Sequence, residues 1–427
     1  MTEQRGVIHQ ISWRDLCPWL AIVRGVGLAF SMRVLVIAAL GASLTPVGWQ
    51  LGDWLFRPAE TASPDSAWAA LVAVQTRWPS SEIPPWPGND PQRLQDLALR
   101  SPQHLTLGYR RLLGPALYLF DMHLTWRQLA WLLFGLGWSI FVWALFGGTI
   151  ARMAVMHLGP EEPVGATEAW RFAVRHAPGQ ILAPISPTIG IVGLTALLAL
   201  VGLLLRIPGS FDVDLILVGL GWGLALLVGL GLAWLVAGLL YGWPLMWGTI
   251  ATEGSDAFDA MARSYSYPVR RPLHTLAYVL IAVAVGSLAW LWVYAMAELT
   301  IYLTWWAVGW GAGPERLAEI QIAMYDTGQH GTTTKLGALL LGCWVAVVRT
   351  FVVGFSYAWL WCSAAAIYLL LRLAVDGRET DEVFREAEAE RYRLAAMGLD
   401  SASLAAALPQ DDSPSPASEP AGDSSSD

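Results

Sequence analysis

The stretch Val213–Ala251, VDLILVGLGWGLALLVGLGLAWLVAGLLYGWPLMWGTIA, decides the fold class of this chain. After Asp214 it contains no charged residue. A bilayer core about 30 Å thick needs about 20 apolar residues per helix, because lipid offers no partner to a free backbone N–H or C=O. The stretch is therefore predicted to cross a membrane as an α-helix. Its excess length could hide a second pass or a helix that continues along the interface.

Five further apolar stretches meet the same length requirement. They are Val34–Trp54, Leu129–Ala151, Ile181–Leu205, Leu273–Trp310 and Leu336–Leu371. The composition agrees, since 55% of the residues are hydrophobic and only 14% are charged, against about a quarter charged in globular domains. The sequence predicts an all-α, polytopic integral membrane protein with six transmembrane helices. The chain has no excess of basic residues, so its composition does not indicate a nucleic-acid partner.

Proline and charge are used to divide the three longest stretches. Pro244 is predicted to kink the fourth helix after one crossing. Arg349 is placed at the outer interface, because an arginine at mid-bilayer costs about 2.5–3.5 kcal/mol, which leaves Thr350–Leu371 as the sixth span. The fifth span is predicted to end near Glu298, with Leu299–Trp310 as an aromatic interfacial segment.

The arginine distribution predicts the orientation. Short connections on the side of the termini hold more arginine than the other side, and long loops count little, so both termini are expected in the cytoplasm, with the spans in the cell membrane. The predicted domains are listed in chain order. They are an interfacial helix (1–33), the first span (34–55), an extracytoplasmic cap (56–127), a five-helix membrane domain (128–375), a charged cytoplasmic helix or coiled coil (376–400) and a disordered acidic tail (401–427).

Three segments outside the spans are also predicted to be helical. Residues 7–24 have the pattern of an amphipathic helix in the membrane plane. The cap is predicted to hold a short helix at Ser66–Trp78 and a second helical stretch at Pro91–Tyr118, lying over the membrane domain. Arg378–Met397 is predicted to form the charged helix after the last span.

A four-residue sequence occurs twice, as Gly148–Ala151 and as Gly248–Ala251, both reading Gly-Thr-Ile-Ala. Each copy is followed by an amphipathic segment and then by an apolar span. Helices two–three and four–five are therefore predicted to form a parallel internal repeat, related by an axis along the membrane normal. The alternative is a chance identity in a chain rich in Gly and Ala.

The motif Gly147–Arg152, together with Glu253–Tyr267 and the pair Arg271-Pro272, resembles a group of uncharacterised bacterial multi-pass membrane proteins. It is more distantly similar to the membrane domain found beside some glycerophosphodiesterases. The resemblance covers roughly residues 128–375 and implies an architecture without an established function. The chain has no His/Glu pattern of a phosphodiesterase catalytic domain.

The densest set of polar residues is predicted on the cytoplasmic side, between the two repeats. Its members are Arg152, His157, Arg175, Glu253, Asp256, Asp259, Arg263 and Arg271. One interpretation is a pocket whose arginines bind an anionic group such as a phospholipid headgroup. The other is a solvated face of interfacial helices, held by neighbouring pairs such as Asp259 and Arg263.

The sequence leaves three functions open. The first is a non-enzymatic protein that organises partners or lipids, and it is preferred because polar residues collect at the interfaces. The second is a transporter or lipid-handling protein with its site between the repeats, and the third is a membrane-embedded enzyme. No cofactor, metal or catalytic residue is predicted. The expected partners are the lipid bilayer and, beyond it, other membrane proteins or phospholipid headgroups.

Overall fold

The computed structural model describes residues 17–56, 66–88, 90–121, 123–160, 162–204, 211–325 and 331–385. Within these ranges the chain forms twelve α-helices and one short 3₁₀ helix, with no β-strand. The helices are α1 (Leu20–Ala29), α2 (Met32–Phe56), α3 (Ala67–Thr76), α4 (Pro91–Leu105), α5 (Leu107–Tyr118), α6 (Trp126–Leu158), α7 (Ala166–Leu204), α8 (Phe211–Glu253), α9 (Ala257–Arg270), α10 (Pro272–Ala312), α11 (Pro314–Tyr325) and α12 (Thr332–Asp376).

Six of these helices are long and apolar enough to cross a membrane: α2, α6, α7, α8, α10 and α12. This confirms the predicted all-α class and the number of spans. A capping box starts α6, in which Thr125 accepts from the backbone of Gln128 and the Gln128 side chain accepts from the backbone of Thr125. The chain is therefore a helical membrane protein with six candidate spans.

The long helices run further than predicted. α8 continues through Pro244 as one helix of 43 residues. α10 does not end near Glu298 but continues to Ala312, and α12 begins at Thr332, well before Arg349. Arg349 lies within α12 and is paired with Glu298, and its placement at the outer interface stays a prediction.

The two predicted repeat units differ in their helices. In the first, the amphipathic segment and the following span form the single helix α7, which passes through Pro178, Pro184 and Pro187. In the second, α9 and α10 are separate helices that meet at Arg271. The repeat therefore remains a prediction from the sequence.

The bundle is tightly packed at the end where α6, α8 and α12 finish, which we call the packed end. From Val352 to Arg372 nearly every residue of α12 is buried. Tryptophan rings fill the space between helices, and they fit where a neighbouring helix has glycine. A Cβ atom at Gly147 would lie 2.7 Å from the Trp361 ring, and one at Gly135 would overlap the Trp49 ring.

Away from the packed end, the long helices project as two pairs, which we call the outer hairpins. The first is formed by residues 187–204 of α7 and 216–240 of α8, and the second by residues 299–312 of α10 and 332–348 of α12. Among described side chains of 216–240 only Val218 is buried, and 332–348 buries only Ala338. The outer hairpins thus present apolar side chains on nearly all their faces.

The predicted cap has its expected helices but not its expected place. Both helical stretches are confirmed as α3 and as α4 with α5, which are separated at Thr106. Ser356 donates to the carbonyl of His104 (3.1 Å), and Gly108 contacts the Tyr357 ring. That ring stacks on Trp143, which lies about 26 Å along α6 from its first residue. The segment 101–111 therefore enters the bundle between the helices instead of lying over it.

The two ends of the described chain also differ from expectation. α1 begins at Leu20, and its buried residues Ile22, Gly25 and Ala29 face the other helices. α12 ends with Gly377 in the left-handed conformation (φ 67°), and residues 378–383 form turn and coil. The helix predicted from Arg378 is wrong for these residues. Its remainder, the predicted acidic tail and residues 7–16 lie outside the described ranges.

Candidate functional site

The predicted polar cluster is centred on one carboxylate, that of Glu253, at the last residue of α8. Arg263 lies 2.8 Å from it, Arg378 3.6 Å and Arg372 3.7 Å. The Tyr368 hydroxyl also donates to Glu253, at 2.9 Å. One carboxylate thus holds three guanidinium groups from α9, α12 and the segment after α12.

The start of α9 places two more of the predicted residues. Asp256 caps the helix by accepting from the backbone N–H of Asp259, at 2.9 Å. One turn later both Asp259 oxygens accept from Arg263 Nε, each at 3.0 Å. Burial alone would lower the pKa of Arg263, but the hydrogen bonds with Asp259 and Tyr267 and the charge of Glu253 raise it. Arg263 is therefore a permanent cation held by two carboxylates.

Two further contacts close the network toward α12. Arg372 has a side chain only 1% exposed and donates to the carbonyl of Glu379 at 2.8 Å. Tyr267 donates to the Asp376 carboxylate, and burial followed by this hydrogen bond raises the pKa of Tyr267. The cluster therefore fastens α8, α9 and the end of α12 to one another, and its charges neutralise each other internally.

Arg152 is the predicted residue that joins the two Gly-Thr-Ile-Ala copies. Its guanidinium donates to the carbonyl of Ala251 at 2.7 Å and lies 4.3 Å from the centre of the Phe172 ring. The Trp247 indole donates to the backbone carbonyl of Gln180, and the side chains of both residues are buried. The space between the copies is thus filled by packed side chains.

The remaining predicted residues are not brought into the network around Glu253. His157 is half-buried near the end of α6, and Arg175 is exposed on α7. Arg271 is exposed between α9 and α10, where its backbone N–H bonds Tyr267. Among the described residues no group of three or more His, Cys, Asp or Glu side chains is placed to hold a metal ion. The structure therefore assembles five of the eight predicted residues into contacts that hold helices together.

The sequence analysis did not predict a second ion pair, formed by Glu298 of α10 and Arg349 of α12. Two hydrogen bonds join them, at 2.7 and 3.1 Å, and the Glu298 side chain is 3% exposed. The pair lies where the outer hairpin of α10 and α12 begins. The available signal was the occurrence of one acid and one base inside two neighbouring apolar stretches, since intramembrane charges usually pair.

A third polar centre, which the sequence did not reveal, holds the inserted segment. Arg111, with a side chain 2% exposed, donates to the carbonyls of Val74 (2.6 Å) and Arg77 (3.0 Å) and lies 3.3 Å from Glu82. These partners are local in space but 29 to 37 residues away in sequence. No spacing rule would have linked them.

Stacked rings hold the same segment against α10. His104 stacks on Trp290 (centroids 4.9 Å apart), Trp290 on Tyr294 (5.3 Å) and Tyr294 on Trp86 (6.2 Å). The Tyr294 hydroxyl also bonds the carbonyls of residues 84 and 85, each at 3.2 Å. The inserted segment is therefore a permanent part of the packing.

No family model, curated protein or solved structure matches the chain. The resemblance described from the sequence therefore remains a prediction.

Proposed function

We propose that the protein is a non-catalytic component of a cell membrane that organises a partner membrane protein along the outer hairpin of α7 and α8. The observation that carries this proposal is the exposure of that hairpin. Leu220, Leu224 and Leu230 are 87%, 71% and 67% exposed. At the packed end α12 buries nearly every residue from Val352 to Arg372, whereas this hairpin and that of α10 and α12 expose side chains on most of their faces.

The glycines of the hairpin support the choice of a protein as the partner. At the packed end, glycines such as Gly147 and Gly286 receive a tryptophan ring from another helix. On the hairpin, Gly219, Gly221 and Gly223 have no atom within 4 Å of a Cβ position. Small residues allow close helix contact in a membrane. These glycines leave a surface on which a helix of another protein can pack closely.

The alternative functions have less support. A transporter with a site between the repeats needs a polar path there, whereas Arg152, Gln180 and Trp247 fill that space. An enzyme acting on headgroups needs an acid or base facing an open space, whereas Glu253 is held by three arginines and Tyr368. A lipid-handling role has support at a different part of the molecule, the surface of α9.

The proposal includes an orientation, with the packed end and both termini in the cytoplasm and the spans in a bacterial inner membrane. Its support is the number of arginines near the packed end and the positive-inside rule. A single cysteine placed in the tail at Ser424, in a chain whose native cysteines are replaced, should react with a membrane-impermeant maleimide only after cell lysis. Labelling of intact cells would contradict the orientation.

A photo-crosslinking side chain at Leu220 tests the partner. Illumination in native membranes should give a discrete adduct with one other protein. The matched control is the same side chain at Leu40, an exposed leucine of α2 (52%), which should give adducts with lipid alone. Lipid adducts alone at both positions would overturn the proposal.

A second variant ties the adduct to the open surface. Replacing Gly223 with Leu should abolish the Leu220 adduct, because the new side chain fills the space left for the partner helix. The thermal midpoint of the Gly223→Leu variant in detergent should match that of the unmodified protein, since no atom lies within 4 Å of the new Cβ. An undiminished adduct would show that the glycine surface is not the contact.

A further inference from the structure

An apolar groove of about 120 Å³ lies between α8 and α9. Trp234, Ala237, Gly238, Tyr241 and Gly242 line it from α8, and Ser264, Tyr265, Pro268 and Val269 line it from α9. Tyr241 is 76% exposed, so the groove opens on the outer surface of the bundle. Its lining and position suit a hydrocarbon chain lying along a helix.

The shape of the groove depends on one close contact. The Tyr265 ring lies where a Cβ at Gly238 would be, and its hydroxyl donates to the carbonyl of Leu235 at 2.8 Å. Since that hydroxyl is bonded to a fixed backbone group, the Tyr265 ring is held as a wall of the groove. The groove is thus built into the packing of the two helices.

Two arginines come directly after the groove-lining residues of α9 in the sequence. Arg270 ends α9 and Arg271 lies between α9 and α10, and both are exposed. In the part of the chain that the structure describes, neither side chain forms an ion pair or a hydrogen bond. They differ in this from Arg263, which two carboxylates hold.

The carboxylates on α9 itself lie at its other end, and the one that approaches α9 from α12, Asp376, is bonded to Tyr267. Asp259 is eleven residues before Arg270, about 16 Å along a helix, and it is already bonded to Arg263. Phe258 and Val269 are 69% and 53% exposed on the same helix. Such a helix, with exposed apolar residues and free cations at one end, suits the boundary between acyl chains and anionic headgroups.

We infer that this groove binds one anionic phospholipid, with an acyl chain between α8 and α9 and its phosphate at Arg270 and Arg271. The lipid is identified by two features that occur together, an apolar groove and a pair of unneutralised arginines at its end. The inference does not depend on a partner at the outer hairpin. A failed crosslink at Leu220 would leave it standing.

Native mass spectrometry of the detergent-purified full chain tests the site. The probes are phosphatidylglycerol and phosphatidylcholine with identical acyl chains, and inorganic phosphate. One arginine near an anionic surface contributes about a fivefold gain in affinity. Arg270→Gln with Arg271→Gln should therefore weaken the binding of phosphatidylglycerol about 30-fold and that of phosphatidylcholine much less, because the choline cation offsets the charge of its phosphate. The control Arg171→Gln, on exposed α7 surface, should change neither.

The groove itself is tested by Ala237→Phe, which should weaken both lipids by filling the space for the chain. Leu220→Phe on the same helix is its control. If Ala237→Phe lowers the yield of folded protein, Ala237→Val provides a smaller obstruction. Unchanged phosphatidylglycerol affinity in the double arginine variant would overturn the inference. Inorganic phosphate that binds as tightly as phosphatidylglycerol would also overturn it, because an acyl chain in the groove would then add nothing to binding.

Discussion

The packed end and the outer hairpin of α7 and α8 use the same residue types in opposite ways. At the packed end a glycine faces a tryptophan, as Gly147 faces Trp361, and the ring fills the space. On the hairpin Gly219 and Trp222 both lie on exposed surface. The difference shows that composition alone does not tell a finished helix contact from an unoccupied one.

The polar groups follow the same division. Ion pairs lie at the packed end around Glu253 and at the start of the second outer hairpin, where Glu298 meets Arg349. Beyond Arg349 toward Thr332, α12 has one charged residue, Lys335. Buried charges are therefore found where elements of the described structure are held together, and the following predictions test that relation.

Breaking the buried ion pair should have the largest effect. Replacing Glu298 with Gln leaves Arg349 without its counter-charge and should lower the free energy of unfolding by about 3–5 kcal/mol. Thermal unfolding in detergent measures it. Replacing both residues, with Leu and Met, should restore most of the loss, since a well-packed apolar pair can substitute for a buried ion pair. A stable single variant would mean that Arg349 reaches solvent.

Removing Arg111 should free the inserted segment. Replacing Arg111 with Met removes charged hydrogen bonds to two carbonyls and the contact with Glu82, at a cost of about 1.5–3 kcal/mol. Limited proteolysis should then cut within 66–121, which stays intact in the unmodified protein. As a control, Arg93→Met changes an exposed arginine of α4 and should leave the digest as it was. Equal digests of both variants would contradict the assigned role.

Matched glycine substitutions compare the two regions directly. Gly147→Ala places a Cβ 2.7 Å from the Trp361 ring and should cost about 1–3 kcal/mol, as overpacked cores do. Gly219→Ala meets nothing within 4 Å and should be neutral or slightly stabilising through helix propensity. Thermal midpoints in one detergent give the comparison. Equal midpoints would mean that Trp361 can move aside at no cost.

The hydroxyl of Tyr267 should give the smallest effect, and one that depends on pH. Burial and the bond to Asp376 raise the pKa of Tyr267, so the stabilisation is complete below the ordinary tyrosine pKa of about 10 and falls as pH rises above it. Replacing Tyr267 with Phe should lower the free energy of unfolding by about 0.5–1.5 kcal/mol at pH 7. Between about pH 10 and 11 the stability of this variant should fall less than that of the unmodified protein. Parallel pH profiles of stability would contradict the assignment.

The helical class and the six spans follow from the sequence because a bilayer imposes a minimum apolar length that Val213–Ala251 and the other stretches satisfy. The ends of the helices do not follow. Pro244 could not be used as an end, since neighbouring helices can support a proline within a membrane helix. The partner of Arg349 could not be predicted, because Glu298 lies fifty-one residues away.

The sequence predicted which residues form the candidate site better than it predicted what those residues do. Spacing placed Asp259 and Arg263 on one helix face, and they bond there. Spacing could not show that Arg372 and Arg378 approach Glu253 from a different helix and the segment after it. Whether an arginine is neutralised or free, as Arg263 and Arg271 are respectively, depends on such distant partners.

The bond between Ser356 and the carbonyl of His104 joins residues 252 positions apart. During synthesis, the segment around His104 therefore leaves the ribosome long before the surface that receives it exists. Helix α12 is made after the other long helices that the structure describes, and its arrival completes the site that receives this segment. This part of the interior therefore forms only once α12 has been made, and chains truncated before α12 leave an early segment without its place.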